Sequence, residues 1–298
     1  MKQFSIHFFS ILALVFFLLF ACDIVYTKIY QNAAPRNKLQ YIMGLKNENF
    51  DVVFLGSSRV ENNIDTRLFH QLSNKKAYNL GVASSGLNDN FLQLKLLLDK
   101  CRVKNVILQL DFNLETTNPT HISLAETMPF IDNPIIKEHS RIYNANFASL
   151  YYIPFYRYAI NEPKLGFREL FFSFLDKKPK VDPSIGYNPK FGTSKNLQLR
   201  ENILREEILR QNNVMYDEIK LLCRQKNIKL IVFTAPFCSK MKIDSYLKKI
   251  KIIAPNLIDL TKGYSDAMFS DCEHLNNIGS EKLTKSLYEA TKGQCNFE

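Results

Sequence analysis

The chain has 298 residues, of which 46% are hydrophobic and 23% are charged, and it contains 10 Gly and 11 Pro. These values exclude wholesale disorder and collagen-like or low-complexity architecture, and the length suits one large domain or two small ones. The formal charge of +10 favours an anionic partner. The basic residues are scattered and form no nucleic-acid-binding motif, so no nucleic-acid partner is predicted.

Residues 4–25 are nearly all apolar and predict a single transmembrane helix. A helix of this length extends about 33 Å, which exceeds the roughly 30 Å hydrocarbon core of a bilayer. Two interpretations stay open: an uncleaved signal anchor, which we favour, and a lipoprotein signal in which Cys22 follows the small Ala21. Because the tail before the span is short, we expect export of the remaining chain to the periplasmic or cell-surface side.

Short apolar runs alternate with helical patterns after the span. We predict a transmembrane signal anchor at 1–25, a polar stalk at 26–48 and one folded domain at 49–298. Strands are predicted at 51–55, 77–80, 105–110, 228–234 and 257–260, and helices at 65–72, 88–101, 196–225, 245–253 and 276–291. This alternation predicts an α/β fold with a five-stranded parallel sheet between two layers of helices.

Residues 114–195 break this alternation and predict a helical insertion between strands three and four. Ten aromatic residues crowd its middle: Phe147, Tyr151, Tyr152, Phe155, Tyr156, Tyr158, Phe167, Phe171, Phe172 and Phe174. They favour a small core of the insertion itself, or a cap over a site, more than sugar-stacking platforms.

Six Cys residues are too few for a disulfide scaffold, and they form no CxxC pair. We therefore expect no zinc site of the finger type, and no metal or cofactor. Cys101 and Cys223 each end an apolar helical pattern, which predicts two buried thiols.

The first predicted strand runs into the small-residue turn Gly56-Ser57-Ser58. In a parallel sheet the functional crevice lies beyond the carboxyl ends of the strands, so Ser58 is a candidate nucleophile there. Its backbone N–H, at the start of a helical turn, is a candidate donor to developing negative charge.

The segment Asp271-Cys272-Glu273-His274 lies between the last predicted strand and the last helix. A spacing of three residues on a turn lets the Asp271 carboxylate reach Nδ1 of His274, which leaves Nε2 free to take a proton from a serine hydroxyl. The alternative interpretation is a surface turn followed by Asn276 as the cap of the last helix.

Two further loops are expected at the same edge of the sheet. The loop after strand two contains Gly81 and Gly86, and strand three ends in Asp111-Phe112-Asn113. A backbone N–H of the first loop and the Asn113 amide would complete an oxyanion hole with the N–H of Ser58.

These four blocks, in this order, resemble the SGNH (GDSL-like) hydrolase family over about residues 49–113 and 228–292. The resemblance implies a three-layer flavodoxin-like fold, with Ser58 as nucleophile, His274 as base and Asp271 as its orienting carboxylate. It implies Gly86 and Asn113 as oxyanion donors, with Gly81 as the rival of Gly86. Two blocks depart from the family: Gly-Ser-Ser replaces Gly-Asp-Ser, and Asp111-Phe112-Asn113-Leu114 replaces Gly-x-Asn-Asp.

The Gly-Ser-Ser turn behind a membrane span is similar to exported proteins of D-alanyl transfer to teichoic acid and of alginate O-acetylation. That similarity implies a serine esterase or O-acyltransferase that acts on an ester of an acylated envelope polysaccharide, beside a membrane-bound O-acyltransferase. The alternative is a non-catalytic envelope assembly or glycan-binding protein on a degenerate SGNH fold.

Overall fold

Five parallel strands form one sheet in the computed structural model, which describes residues 1–179, 181–193, 197 and 213–295. The strands are β1 (Glu48–Leu55), β2 (Ala77–Asn79), β3 (Cys101–Gln109), β4 (Lys229–Thr234) and β5 (Ile258–Asp259). Their spatial order is β2-β1-β3-β4-β5, the flavodoxin-like order. The predicted α/β class and parallel five-stranded sheet are therefore confirmed.

Fourteen α-helices accompany the sheet in the described part of the chain. They are α1 (Lys2–Asn32), α2 (Lys38–Gly44), α3 (Ser58–Glu61), α4 (Thr66–Ser73), α5 (Leu87–Lys100), α6 (His121–Thr127), α7 (Pro134–Tyr143), α8 (Phe147–Tyr152), α9 (Tyr156–Ala159), α10 (Glu162–Leu165), α11 (Phe167–Phe174), α12 (Val214–Gln225), α13 (Asp244–Ile253) and α14 (Asn277–Thr291). Short 3₁₀ turns occur at Phe112–Leu114, Met128–Phe130 and Asp266–Met268. The predicted helix at 196–225 is observed from Val214 onward, and the rest of it, apart from residue 197, lies outside the described residues.

Alternation of side chains along the strands builds two apolar faces. Val52 and Phe54 of β1 share a buried cluster with Phe69 of α4 and Leu283 of α14. The next residue in each case faces the opposite side of the sheet, where α5 contacts β3 and α12 contacts β4. Polar caps fix the ends of this frame: Asp65 caps α4, and Asn276 caps α14 by accepting from two backbone N–H groups.

The third strand is longer than predicted. Cys101 begins β3 instead of ending a helix, and it pairs with Glu48 of β1. The beginning of β3 was not predicted, because exposed polar residues alternate there with buried ones and interrupt the apolar run. Cys101 and Cys223 are buried free thiols, as expected.

The chain divides into two compact units. Unit 1 consists of Met1–Gln40 and His121–Pro179, and unit 2 of the described residues of 41–120 and 180–298. The predicted insertion carries helices α6 to α11, from His121 to Phe174, and leaves the sheet between β3 and β4. Residues 180, 194 and 195 of the predicted insertion lie outside the described residues. The predicted domain division stays a prediction.

Helix α1 is long and apolar enough to cross a membrane, by length and composition. The boundary predicted at residue 25 falls inside this helix, which continues to Asn32. Its last turns pack in an apolar cluster of unit 1, where Tyr26 and Tyr30 lie against Tyr158. Five of the ten aromatic residues in the middle of the insertion also pack in that cluster, which agrees with the small core that we favoured; they are Phe147, Tyr151, Phe155, Tyr156 and Tyr158.

Candidate active site

The turn after β1 presents Ser58 at the carboxyl edge of the sheet. A side chain at Gly56 would collide with Gln109 and Val60, so the tight approach of β1 to β3 requires glycine there. Ser57 caps α3, and its hydroxyl donates to Gln109 Oε1 at 3.0 Å. Ser57 thus holds the turn and leaves Ser58 as the first residue of the helix.

A short loop between β5 and α14 carries Asp271 and His274. Phe269 and Leu275 close its base as an antiparallel bridge. The N–H of Leu275 also donates to Asn63 Oδ1 at 3.0 Å, which ties this loop to the segment that follows α3. The loop is therefore fixed at both ends by buried residues of unit 2.

The structure brings Ser58, His274 and Asp271 into one hydrogen-bonded row. Ser58 Oγ lies 2.8 Å from His274 Nε2, and His274 Nδ1 lies 2.8 and 2.9 Å from the two Asp271 oxygens. With the proton on Nδ1 donated to Asp271, Nε2 accepts from the Ser58 hydroxyl. These distances lie within the hydrogen-bonding reach that a serine nucleophile, a base and an orienting carboxylate would need.

Asp271 is a carboxylate at neutral pH. Burial by itself would raise its pKa, but the hydrogen bond and electrostatic attraction to His274, with two backbone N–H donors, outweigh burial and lower the pKa to about 2. These backbone donors are Glu273, at 3.0 Å, and His274, at 2.9 Å. An ionised Asp271 can only accept, which selects the Nδ1–H tautomer of His274.

The predicted oxyanion donors differ in their availability. Ser58 N–H has no acceptor among the described residues. Asn113 lines the cleft, where its Nδ2 donates to the Gln109 carbonyl at 2.6 Å and keeps a second N–H. The N–H of Gly86 donates to Asp89 Oδ2, and that of Gly81 to Asn79 Oδ1, each at 3.0 Å. Use of either glycine as an oxyanion donor would first break that bond, and their roles stay predictions.

Arg59, which no sequence motif marks, joins the loops of this edge. Its side chain is 1% exposed and pairs with the buried Asp111 at 2.9 Å. Its other nitrogens donate to the carbonyl of Glu273 in the His274 loop, at 2.8 Å, and to the carbonyl of Ala235 after β4, at 2.7 Å. The guanidinium also lies over the Phe237 ring. The only sequence signal was a charged residue directly after the candidate nucleophile.

A disulfide joins Cys238, after β4, to Cys272 in the His274 loop. No pairing could be assigned from the residues alone, because the two cysteines are 34 positions apart and only the fold brings them together. The bond adds a covalent tie to the loop that carries Asp271 and His274.

A cleft of about 370 Å³ opens beside Ser58 and His274. Its wall is mostly polar and includes Asn62, Ser85, Asn188 and Lys190. Within the described part of the chain, Asn62 Oδ1 and Ser85 Oγ are buried and make no hydrogen bond. The described residues contain no group of three or more His, Cys, Asp or Glu side chains suited to a metal ion.

Two solved structures of low sequence identity are similar to this chain. No family model matches the chain, and no curated protein sequence matches it. One similar solved structure is a Streptococcus pneumonia protein provisionally described as a platelet activating factor, with 12% identity, a TM-score of 0.39, and coverage of 94% of this chain and 96% of that one. Another is a gut microbial diltiazem-metabolizing enzyme, with 11% identity, a TM-score of 0.31, and coverage of 88% and 49%. Since both TM-scores are below 0.5, neither similarity carries an argument about function.

Proposed function

We propose that this protein is a serine esterase or O-acyltransferase of the SGNH type, with Ser58 as the nucleophile. The observation that supports this most directly is the row from Ser58 Oγ through His274 to Asp271, with successive separations of 2.8 Å. A serine hydroxyl at that distance from a neutral imidazole is activated when the imidazole takes its proton.

In the first half of the reaction, Ser58 Oγ attacks the carbonyl carbon of an ester while His274 Nε2 takes the hydroxyl proton. In this proposal the N–H of Ser58 and the remaining N–H of Asn113 donate to the oxygen that becomes negative. When the intermediate collapses, the carbon–oxygen bond of the ester breaks. The departing alcohol takes the proton from His274 and leaves an acyl group on Ser58.

In the second half, His274 Nε2 removes a proton from an incoming hydroxyl, whose oxygen attacks the acyl-serine carbonyl. The bond between the acyl carbon and Ser58 Oγ then breaks, and Oγ takes the proton back from His274. Water as the acceptor gives hydrolysis, and a sugar hydroxyl gives transfer. Asp271 keeps the imidazole in the same tautomer and stabilises the imidazolium in both halves.

The polar cleft wall supports a hydroxyl-rich substrate. Asn62 and Ser85 have buried polar atoms without partners, and an unsatisfied buried group costs about 1–3 kcal/mol. Small side-chain rotations would let substrate hydroxyls satisfy them. We therefore propose an ester of an acylated envelope polysaccharide as the substrate. The similarity of the Gly-Ser-Ser turn to exported acyl-transfer proteins adds a membrane-bound O-acyltransferase as a proposed partner.

A catalytic unit outside the cytoplasm completes the proposal. Disulfides persist in oxidising compartments, so the bond between Cys238 and Cys272 supports export. Helix α1 would hold the protein at the membrane, which keeps it close to envelope polymers.

A fluorophosphonate probe tests the proposal, because it reacts with an activated serine. The full chain in detergent should be labelled on Ser58, as read by mass spectrometry of the modified peptide. Ser58→Ala should abolish labelling. Ser57→Ala, the matched change one residue away, should keep most of it. Absence of labelling in a folded wild-type chain would overturn the proposal of an enzyme and favour a non-catalytic binding protein.

A further inference from the structure

The segment at 152–155 in unit 1, which joins the last residue of α8 to α9, exposes large apolar side chains to solvent. Tyr152 is 74% exposed and Ile153 is 50% exposed. Single exposed apolar side chains are common on protein surfaces, whereas contiguous ones mark interaction sites. Tyr152 and Ile153 are adjacent, and both lie beside helix α1. Their position along α1 decides what they meet.

Hydrogen bonds fix this loop at the end of the apolar span. The N–H of Phe155 donates to Asp23 Oδ2 at 2.8 Å, and Arg157 donates to the same carboxylate at 2.5 Å. The Tyr26 and Phe155 rings lie edge to face at 4.9 Å. The loop therefore sits at the height of Asp23, only two residues before the predicted end of the span.

That height is the polar boundary of a bilayer. The headgroup layer adds about 5–8 Å on each side of the hydrocarbon core, and a helix rises about 1.5 Å per residue. With residues 4–25 in a bilayer as an uncleaved span, Asp23 lies within this layer. Tyrosine is enriched at this depth because its ring is apolar and its hydroxyl is polar.

The groove beside the loop continues the same surface. It has a volume of about 400 Å³ and is lined by Phe20 and Ile24 of the span as well as by Tyr152 and Ile153. The polar side chains at this groove are of both signs, with Asp23 and Asp132 against Lys28 and Arg157. The groove is thus lined by apolar side chains, and its positive and negative side chains balance.

We infer that the loop at 152–155 is a membrane contact, in which Tyr152 and Ile153 enter the headgroup layer and seat unit 1 on the lipid surface. The contact is separate from helix α1 itself and independent of the proposed chemistry at Ser58. Its partner is the boundary between lipid headgroups and acyl chains.

The absence of Trp from the sequence makes the test direct, since a single introduced Trp reports its own environment. The full chain carrying Tyr152→Trp is reconstituted into vesicles of phosphatidylcholine and phosphatidylglycerol that contain brominated phosphatidylcholine, which quenches Trp on contact. Quenching should be at least half as strong as that of Phe20→Trp, a position in the span.

An exposed position of the same unit serves as the control. Phe174 is 67% exposed, and it lies two residues before Asp176, which accepts from the N–H of Ala34. Ala34 follows the end of α1 at Asn32, which lies about 13 Å beyond Asp23 along the helix axis. Phe174→Trp should therefore stay unquenched.

An unquenched Tyr152→Trp beside a quenched Phe20→Trp would overturn the contact. Equal quenching of Tyr152→Trp and Phe174→Trp would also overturn it, because the lipid contact would then not be confined to this loop. Fluorophosphonate labelling of the same variants keeps this result distinct from the proposed function, since loss of the lipid contact leaves Ser58 reactive.

Discussion

The two units of this chain bury and expose different kinds of side chain. At the carboxyl edge of the sheet in unit 2, Arg59 and Asp111 are almost fully buried and bonded. Unit 1 is held by aromatic rings around Tyr30 and Tyr158 together with the ion pair of Arg157 and Asp23. It leaves Tyr152 and Phe167 more than two thirds exposed.

This difference suits the two proposed roles, ester chemistry in unit 2 and lipid contact in unit 1. Hydrogen bonds and ion pairs have narrow distance and angle requirements, so a buried polar network fixes atoms within tenths of an ångström, as proton transfer requires. Apolar packing is less directional, and exposed rings adapt to a fluid surface such as lipid. Substitutions in either unit can break this division, and the most severe effect is expected at the proposed nucleophile and base.

Removal of Ser58 or His274 should have the largest effect on chemistry. Ser58→Ala and His274→Ala should each slow ester turnover by a factor on the order of 10⁴ to 10⁶, and the double variant should lose little more, because the groups act as a unit. The rates are measured with a chromogenic acetate ester. Phe167→Ser in unit 1 is the matched surface change and should keep the wild-type rate. A comparable loss of rate in that variant would indicate that unit 1, and not the Ser58 site, carries the esterase activity.

Loss of the Arg59 side chain should have the largest effect on stability. Arg59→Met leaves Asp111 buried without its partner, so we expect the free energy of unfolding to fall by about 3–5 kcal/mol. Arg67→Met breaks an exposed pair with Asp65 and should change it by less than about 1 kcal/mol. Urea unfolding in detergent, followed by circular dichroism, measures both. Equal effects would mean that the network around Arg59 is not rigid.

If Arg59→Met does not fold, Arg59→Lys provides the same comparison. Lysine keeps the positive charge but cannot bond Asp111, Glu273 and Ala235 at once. It should fold with reduced stability and slower probe labelling, because the His274 loop is held less firmly.

Removal of the disulfide should lower the free energy of unfolding, because the unfolded chain then gains conformational entropy. The loop that carries His274 should also be held less firmly. Closure of a loop of 34 residues stabilises a fold by about 3–4 kcal/mol. The Cys238→Ser/Cys272→Ser variant should lose about that much in urea unfolding and should label more slowly at Ser58. Unchanged labelling would show that the noncovalent contacts of the loop suffice.

Acid should weaken the site through Asp271. Its pKa of about 2 in the folded protein lies below the ordinary value near 3.9. The stability from this carboxylate is therefore fully present above about pH 4 and is lost as the pH falls toward 2. The difference in unfolding free energy between wild type and Asp271→Asn should shrink over that range. A difference independent of pH would contradict the low pKa.

The smallest expected effect concerns Cys22, an exposed free thiol. For an uncleaved anchor, Cys22→Ser should retain the protein in the membrane fraction with unchanged gel mobility. A slower-migrating unprocessed form would instead support the lipoprotein interpretation.

Most of the sheet and the local turns could be predicted from residues near one another in the chain. Apolar runs such as 51–55 and 228–234 marked strands, and Asp65 and Asn276 acted as the helix caps that their positions suggested. The beginning of β3 was missed because its polar residues alternate with Val103 and other buried residues. Local pattern also placed Ser58, Asp271 and His274 on loops that end at one sheet edge.

Contacts between residues far apart in the sequence were not predicted. No spacing indicated that Arg59 bonds both Asp111 and the Glu273 carbonyl, or that Cys238 pairs with Cys272. The aromatic residues of the insertion predicted a small core, but its contact with Tyr26 and Tyr30 of α1 required the structure.

The sequence by itself determined the apolar span, the alternation of strands and helices, and the types of residue at each strand end, because these depend on local propensity and on periods of two and 3.6 residues. Only the tertiary structure decided that Ser58 and His274 lie 2.8 Å apart, that Gly86 N–H is bonded to Asp89, and that the loop at Tyr152 is held at the height of Asp23. Each of these depends on how segments far apart in sequence pack together, and a hydrogen bond forms only when that packing is accurate to a few tenths of an ångström.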